Sequence, residues 1–377
     1  MSMVENRSLT LMVDKGLCYA FFAYDVGRGI DLEQAERRIT ANKERSRIRH
    51  KRRTPAYFDY TPAPLRITEE MESIPLGRFR TSTTIDLLVY DFGGVSVSYV
   101  IPIQCDIGSL LTLSLDLYEN EWLLADSKRR TEDLLSALAD AVERPYLADS
   151  VEDYVIFQIE SAGPSFRRDD LLSTHASTIA QMLRAESEPL AEQEVREATA
   201  HSLSLGQDDL AIIDWNAAVL VGQEMDDVRA VLEFANVELL EMRFLDQELD
   251  KALDDAYDTL SKRPKSLLSW PGMSFRADVR RIGQLEVDSA ILFERVTNTL
   301  KLLGDQYLAR VHRLASARFH LESWDTSITR KLQTLESIYG KMTDSAATRR
   351  AEVLEWIIIA LIVVSIIVSF LPGTSGH

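Results

Sequence analysis

The chain has 377 residues, 46% hydrophobic and 27% charged, which is enough for two folded units with a sizeable core and excludes disorder as its general state. A formal net charge of -17 and a pI near 4.9 exclude a protein that binds nucleic acid over its whole surface, because phosphate contacts need clustered Lys and Arg. Cys18 and Cys105 lie far apart with no CxxC partner, which excludes a disulfide framework or zinc knuckle and predicts reduced thiols in strands.

At the amino terminus, MSMVENRSLTLMVDKGLCYAFFAYDV has no basic stretch followed by a clean apolar one, so no signal peptide is expected. LCYAFFAYDV, TIDLLVYDFGGVSVSYVIPI and DYVIFQIE are rich in Tyr, Phe, Val and Ile and are bounded by Gly, Pro, Asp and Ser, as strands are. Helical patterns start between them, near Asp31, Ser109 and Leu171. Residues 1–222 therefore read as an α+β head domain.

Two glycine words in the head invite chemistry. In YDVGRGIDLEQA, Gly27 and Gly29 follow a strand and precede a helix, but Leu32 stands where a dinucleotide fingerprint needs its third glycine, and Asp31 reads better as a helix cap. DFGG at Asp91 spells a kinase word without a preceding HRD loop, and Gly93 and Gly94 fit a hairpin turn. No cofactor is expected from either.

A basic arm follows the first helix. Arg37, Arg38, Lys43, Arg45, Arg47, Arg49, Lys51, Arg52 and Arg53 face only Asp31, Glu33, Glu36 and Glu44 over residues 31–53, a balance of about +5 that leaves about -22 elsewhere. Three uses fit: a surface helix with internal pairs such as Glu33 with Arg37, contact with anionic lipid headgroups, or contact with RNA or a ribosome. TPAYFDYTPAP, Thr54 to Pro64, then reads as a Pro-rich loop.

The histidines are scattered. His312 and His320 sit eight apart on a helical pattern without a Glu or Cys companion in sequence, and His175 beside Ser173 and Ser177 has no GxSxG elbow, so neither metal nor catalytic residues are assigned.

Residues 223–348 read as all helix. MDDVRAVLEFANVELLEMRFLDQELDKALDDAYDTL opens on Asp226 and Asp227 and closes before Pro264, with Asp254 and Asp255 on a solvated face. A second pattern runs through Ile291, Val296, Leu300, Leu303, Tyr307 and Val311, and a third through Leu321, Trp324, Ile328, Leu332, Leu335, Ile338 and Met342. They predict a helical bundle or coiled-coil stalk, the seams serving either as core contacts in one chain or as self-association with other copies.

The end of the chain is apolar on every face: Trp356, Ile357, Ile358, Ile359, Leu361, Ile362, Val363, Val364, Ile366, Ile367, Val368, Phe370 and Leu371 are broken only by Ala360, Ser365 and Ser369. Sixteen such residues at about 1.5 Å each reach roughly 24 Å, and extending the helix back to Val353 approaches the roughly 30 Å of a bilayer. Twelve strongly apolar residues at roughly -0.3 to -0.6 kcal/mol each favour insertion by about 4 to 7 kcal/mol. A single transmembrane helix over 353–371 is therefore expected, with Lys341, Arg349 and Arg350 holding the large N-terminal part on the cytoplasmic side of the inner membrane.

YAFFAYDVGRGIDLEQAERRI, the Gly94-Val95 hairpin in LLVYDFGGVSVSYVIP, HASTIAQML and the terminal LEWIIIALI, Leu354 to Ile362, together resemble the required-for-meiotic-nuclear-division family, a group of domain-of-unknown-function proteins. The resemblance implies a membrane-anchored, non-enzymatic protein, its mitochondrial relatives being similar to an inner-membrane factor that supports organellar translation, and it carries over no catalytic residue. The resulting expectation is a tail-anchored scaffold or tether with protein partners or copies of itself; the alternative is a membrane-bound enzyme or binding module for an anionic lipid, nucleotide or RNA through the basic arm.

Overall fold

The computed structural model describes residues 11–43, 62–163, 168–204, 206, 208–261, 287 and 306–370. Its centre is the strand β1 (Met12–Asp25), pinned antiparallel on one side by β7 (Gly94–Asp106) and on the other by β9 (Glu152–Ala162). With β3 (Leu65–Glu70), β6 (Thr84–Val89), β10 (Ser202–Leu203), β11 (Leu210–Ile213) and β12 (Ala217–Val221), the order is β10-β11-β12-β9-β1-β7-β6-β3. Only β12 with β9 is parallel among the paired neighbours of this sheet, so the eight-stranded sheet is mixed. The short strands β2 (Gly29–Ile30) and β8 (Val142–Glu143) pair with each other, as do β4 (Pro75–Leu76) and β5 (Phe79–Arg80).

Both faces of the sheet are covered, which is why β1 reads as a nearly continuous apolar run rather than an alternating one. Cys18, Ala20, Phe22 and Tyr24 point into a core shared with α2 (Ile107–Leu117), α3 (Glu121–Leu138) and α4 (Arg168–Arg184), through Leu110, Leu113, Leu123 and Ile179. Their neighbours Tyr19, Phe21 and Asp25 take the other face, because side chains alternate across a strand. There lies α6 (Asp226–Ser261), whose residues 230–240 are all buried. The remaining helices are α1 (Leu32–Lys43), α5 (Glu192–Thr199), α7 (Gln306–Arg318) and α8 (Leu321–Phe370).

The helix starts follow local chemistry. Asp31 accepts from the Gln34 amide at 2.9 Å, as expected of a cap; Asp106 accepts from the Ser109 amide at 3.0 Å to start α2; Asn120 accepts from the Leu123 amide at 3.0 Å to start α3. Cys18 and Cys105 are buried free thiols in β1 and β7, as predicted.

The β6–β7 hairpin turns where DFGG predicted it. Gly93 has φ +110°, and a Cβ there would lie 1.8 Å from the carbonyl oxygen of Gly27. That approach is built by three backbone bonds: Val26 N to Gly93 O at 3.0 Å, Ile30 N to Asp91 O at 2.7 Å and Tyr90 N to Gly94 O at 2.9 Å. The two glycine words thus interlock as backbone, at a closeness that a side chain on Gly93 would forbid.

The chain divides into two compact units, residues 1–246 with 288–325, and 247–287 with 326–377. Within the second, Leu249, Ala252 and Ala256 of α6 and Ile328, Leu335 and Tyr339 of α8 are buried at helical spacings, and Lys331 pairs with Asp250 at 2.6 Å. Asp254 and Asp255 are exposed, as the solvated face predicted. The expected helix through Ile291, Val296, Leu300 and Leu303 lies outside the described residues.

The structure corrects the expected transmembrane helix. Among the described residues no helix is long and apolar enough to cross a membrane, which overturns the single-pass anchor at 353–371 and with it the inner-membrane placement. The physical reason is length: a span takes about 20 consecutive apolar residues, whereas the apolar run here, Trp356 to Leu371, has sixteen, and up to Phe370 it is the end of one continuous helix, α8, that carries Glu352 and Glu355 immediately before it. Ile358, Ile359, Leu361, Ile362 and Val363 are exposed on that helix. The side chains of Trp356, Ile357, Val364, Ile366, Ile367, Val368 and Phe370, and Leu371 altogether, lie outside the described residues.

Replacing Gly93 by Ala should lower the unfolding free energy by about 2 to 4 kcal/mol, because the new methyl group meets a backbone carbonyl at a left-handed position. Urea unfolding followed by tryptophan fluorescence measures it, and an unchanged midpoint would contradict the interlock.

Candidate functional site

The most chemically equipped region of the described residues is the layer between the sheet and α6. Helical periodicity puts Arg229, Glu233, Asn236 and Glu238 on buried positions of α6, where ionised groups are costly unless paired. The sheet and α7 supply the partners, one by one.

Arg229 stacks over the Tyr19 ring, its guanidinium carbon 4.6 Å from the centroid, and donates to Asp226 at 2.9 Å. One turn on, the Glu233 carboxylate accepts from the Ser96 hydroxyl of β7 at 2.8 Å. Burial pushes the Glu233 carboxyl up against the opposing pull of Arg229 and Arg66. Asn236 donates to the Glu152 carbonyl at 3.1 Å, while the Glu152 side chain receives Arg243 at 2.6 Å; burial raises this carboxyl too, and Arg243 opposes it. Arg243 in turn lies 5.8 Å from the Trp324 ring centroid.

His312 of α7 closes the layer. Its Nε2 lies 2.9 Å from a Glu238 carboxylate oxygen, and its Nδ1 lies 3.0 Å from the Ser316 hydroxyl. A carboxylate, an imidazole and a hydroxyl in line satisfy the distances of a nucleophilic triad. The setting argues against that chemistry: the imidazole is 3% exposed and packs against Phe234, and Ser316 sits one helical turn from His312 rather than at a strained elbow. The arrangement gives a buried carboxylate a hydrogen-bonding partner.

Two further clusters bind loops to the same unit. Asp25, 1% exposed at the end of β1, accepts from the Tyr146 hydroxyl at 2.6 Å and from the Gly27 amide at 3.2 Å, and Tyr146 stacks on Phe244 with centroids 5.6 Å apart. Burial pushes the Tyr146 phenol up, and the Asp25 charge adds to it. Asp214, fully buried in the β11–β12 turn, accepts from Arg184 at 3.2 Å and from Arg318, while its backbone oxygen accepts from Tyr154 at 3.0 Å. Arg184 also pairs with Glu194.

Of the basic arm, Arg37 donates to Glu33 inside the arm at 3.4 Å and Arg38 pairs with Asp140 outside it. The side chain of Lys43, and Arg45, Arg47, Arg49, Lys51, Arg52 and Arg53, lie outside the described residues. His175 sits in α4 and is not brought to any of these clusters. Among the described residues no group of three His, Cys, Asp or Glu side chains could hold a metal ion. On the other face Val26, Ile30, Val95, Leu134 and Val142, with Thr131 as a polar contact, line a narrow apolar crevice with no room for a water molecule.

Sequence reasoning missed the polar layer, because its partners come from strands and helices far apart in the chain, Ser96 and Glu233 by 137 positions and Tyr19 and Arg229 by more. One signal was available: Tyr24-Asp25-Val26-Gly27 and Tyr90-Asp91-Phe92-Gly93 repeat a Tyr-Asp-apolar-Gly word. The structure puts both words at the same end of the sheet, flanking the start of β7, since β1 and β6 are each antiparallel to it.

Asp214→Ala should cost about 3 to 5 kcal/mol, because it leaves the part-buried Arg184 and Arg318 without their shared, fully buried carboxylate. Asp214→Asn should recover part of that loss by keeping an acceptor. Paired chemical denaturation curves check both, and equal stability of the wild type and Asp214→Ala would contradict the clamp.

A model of the family described as "Uncharacterized protein MJ0711, N-terminal domain" matches residues 15–227, more than half of the chain. The matched region runs from β1 to the first turn of α6, so it includes Tyr19, Ser96, Glu152 and Asp214 and stops before the buried charges of α6. The uncharacterized protein MJ0711 of Methanocaldococcus jannaschii is 23% identical over 230 residues, which cover 60% of this chain and 68% of the relative. No solved structure matches. By the extent of the family match, the chain belongs to the family of the MJ0711 N-terminal domain, a domain of unknown function.

Proposed function

We propose that the protein acts as a non-enzymatic scaffold, its sheet domain and long helices holding protein partners or further copies of the chain. The observation that carries this reading is how the ionisable groups of the polar layer are used. Glu233, Glu152, Glu238 and Asp214 each face a hydroxyl, a guanidinium or an imidazole from another element, and these pairs fasten helices to the sheet instead of converging on an open cleft. The second unit offers long helical surface in support. Its α6 segment carries Glu248, Asp250, Asp254, Asp255 and Asp258 against one Lys251, while residues 326–341 of α8 carry Arg330, Lys331 and Lys341 against one Glu336. Segregated charge of this kind selects partners and orientation.

We also read the chain as kin to the required-for-meiotic-nuclear-division family. The support is the Gly94-Val95 hairpin and the strand-helix unit that precedes it, both present in the sheet domain.

Incubating the purified full-length chain with a total metabolite extract should leave every metabolite at its starting level. Consumption of any compound that is abolished in His312→Ala or Glu238→Gln would make the protein an enzyme and sink the scaffold reading. Amine cross-linking through Lys251, whose side chain is 65% exposed, should give products of defined stoichiometry in host extract. Recovery of the uncross-linked monomer alone would count equally against it.

A further inference from the structure

The eight-stranded sheet ends in two unlike edges. One is β10, two residues long, and a strand that short offers little for another chain to pair with. The other is β3, six residues that run beside β6 without a proline, a glycine or a register shift. Among the described residues no third strand pairs with it.

Hydrogen-bond alternation tells which groups β3 turns outward, because in an antiparallel pair only every second residue bonds to a given neighbour. The Tyr90 amide donates to the Gly94 carbonyl at 2.9 Å, which directs the even residues of β6 to β7 and leaves its odd residues for β3. The Met71 amide, donating to the Thr83 carbonyl at 2.9 Å, extends that β3–β6 ladder one step past the strand end. Leu65, Ile67 and Glu69 therefore bond to β6, and Arg66, Thr68 and Glu70 direct their amides and carbonyls away from the sheet. Arg66 and Thr68 are part-exposed and Glu70 is exposed.

This outward row is complementary to itself when turned end for end. A second copy brought up antiparallel, with Thr68 on the two-fold axis, sets Arg66 opposite Glu70 at both ends and Thr68 opposite Thr68 at the centre. On the other face of the strand, Leu65 then meets Met71 and Ile67 meets Glu69. Neighbouring registers are worse. A slip of two residues one way sets Glu69 directly against Glu69, and a slip the other way sets Glu70 against Pro64, which has no amide to donate. A slip of one residue opposes outward groups to inward ones. Asp86 also orients the row in advance, lying 4.0 Å from Arg66 and accepting the Thr68 hydroxyl at 2.6 Å.

We propose that β3 is a self-association edge, through which two copies of the chain join their sheets by antiparallel β3–β3 pairing centred on Thr68. This rests on the reading of the protein as a scaffold for further copies of itself, and names the surface. The pairing forms about six main-chain hydrogen bonds, and the two Arg66–Glu70 contacts fix its register.

Cysteine substitution in the full-length chain tests that register, since Cys18 and Cys105 are buried. The Cα atoms of a hydrogen-bonded antiparallel pair lie about 5.5 Å apart, inside the roughly 4.4–6.8 Å that a disulfide spans. Under mild oxidation Thr68→Cys should give a disulfide-linked dimer at least about tenfold faster than Glu70→Cys, whose two copies lie about 13 Å apart along the pair. A mixture of Arg66→Cys and Glu70→Cys chains should cross-link to each other. In the unsubstituted chain, amide exchange over residues 66–70 should slow about tenfold as concentration carries it from monomer to dimer by light scattering. Equal cross-linking at positions 68 and 70, or exchange over 66–70 that ignores dimerisation, would overturn the β3 pairing and leave the scaffold reading intact. A chain that stays monomeric at every concentration would overturn it as well, and the scaffold reading would then stand or fall on its cross-links to other proteins.

Discussion

Charge that is buried has to be answered, and in this molecule that requirement sets where α6 lies. Arg229 over Tyr19, Glu233 on Ser96, Asn236 on the Glu152 carbonyl and Arg243 on the Glu152 carboxylate form a ladder from β1 and β7 to the start of β9. Apolar packing alone tolerates a helix sliding along its groove, since one aliphatic contact replaces another. A ladder of specific pairs does not, because a shift of one turn, about 5.4 Å, leaves several buried ionised groups without partners. The same rule explains α7: His312 is placed to answer Glu238, and Arg318 to answer Asp214.

The opposite face works differently. Cys18, Ala20, Phe22 and Tyr24 meet an apolar core, and its polar contacts sit at the tips of long side chains, Tyr24 on Ser127 at 2.7 Å and Tyr99 on Asp126 at 2.8 Å. Burial pushes the Tyr24 phenol up to about 12, even though the Ser127 hydroxyl bond works the other way. One strand therefore feeds an apolar layer with its even residues and a polar layer with its odd ones. The glycine interlock at Gly27 and Gly93 holds both layers in register by fixing the end of that strand against the start of β7.

This distribution of chemistry bears on function. Carboxylate, imidazole and guanidinium groups are bonded to one another across element boundaries, which ties the helices of the sheet domain to specific partners. The triad-like line of Ser316, His312 and Glu238 is buried, with two of its members one turn apart on the same helix, and it bonds α7 to α6. Family membership adds a shared sheet domain without assigning a reaction.

Local chemistry was legible from the sequence by itself: β1, β6, β7 and β9 from their apolar runs, the turn at Gly93 and Gly94, the cap at Asp31, the pairing of Glu33 with Arg37, and the helical character of residues 226–261. These depend on neighbours within a few positions, which is the range over which propensity, capping and periodicity act. Short strands such as β11 and β12 escaped, because four or five buried apolar residues in either place carry no period of their own. The apolar end of α8 was overread as a span, since hydropathy registers apolar composition more strongly than the sixteen-residue limit of the run. Only the tertiary structure decided that β9 pairs with both β1 and β12, that Asp214 gathers Arg184 and Arg318, and that the charges of α6 are buried and answered. Those outcomes join residues tens to more than a hundred positions apart, and whether such a charge is solvated or interior is settled by which surfaces close over it, which no local pattern encodes.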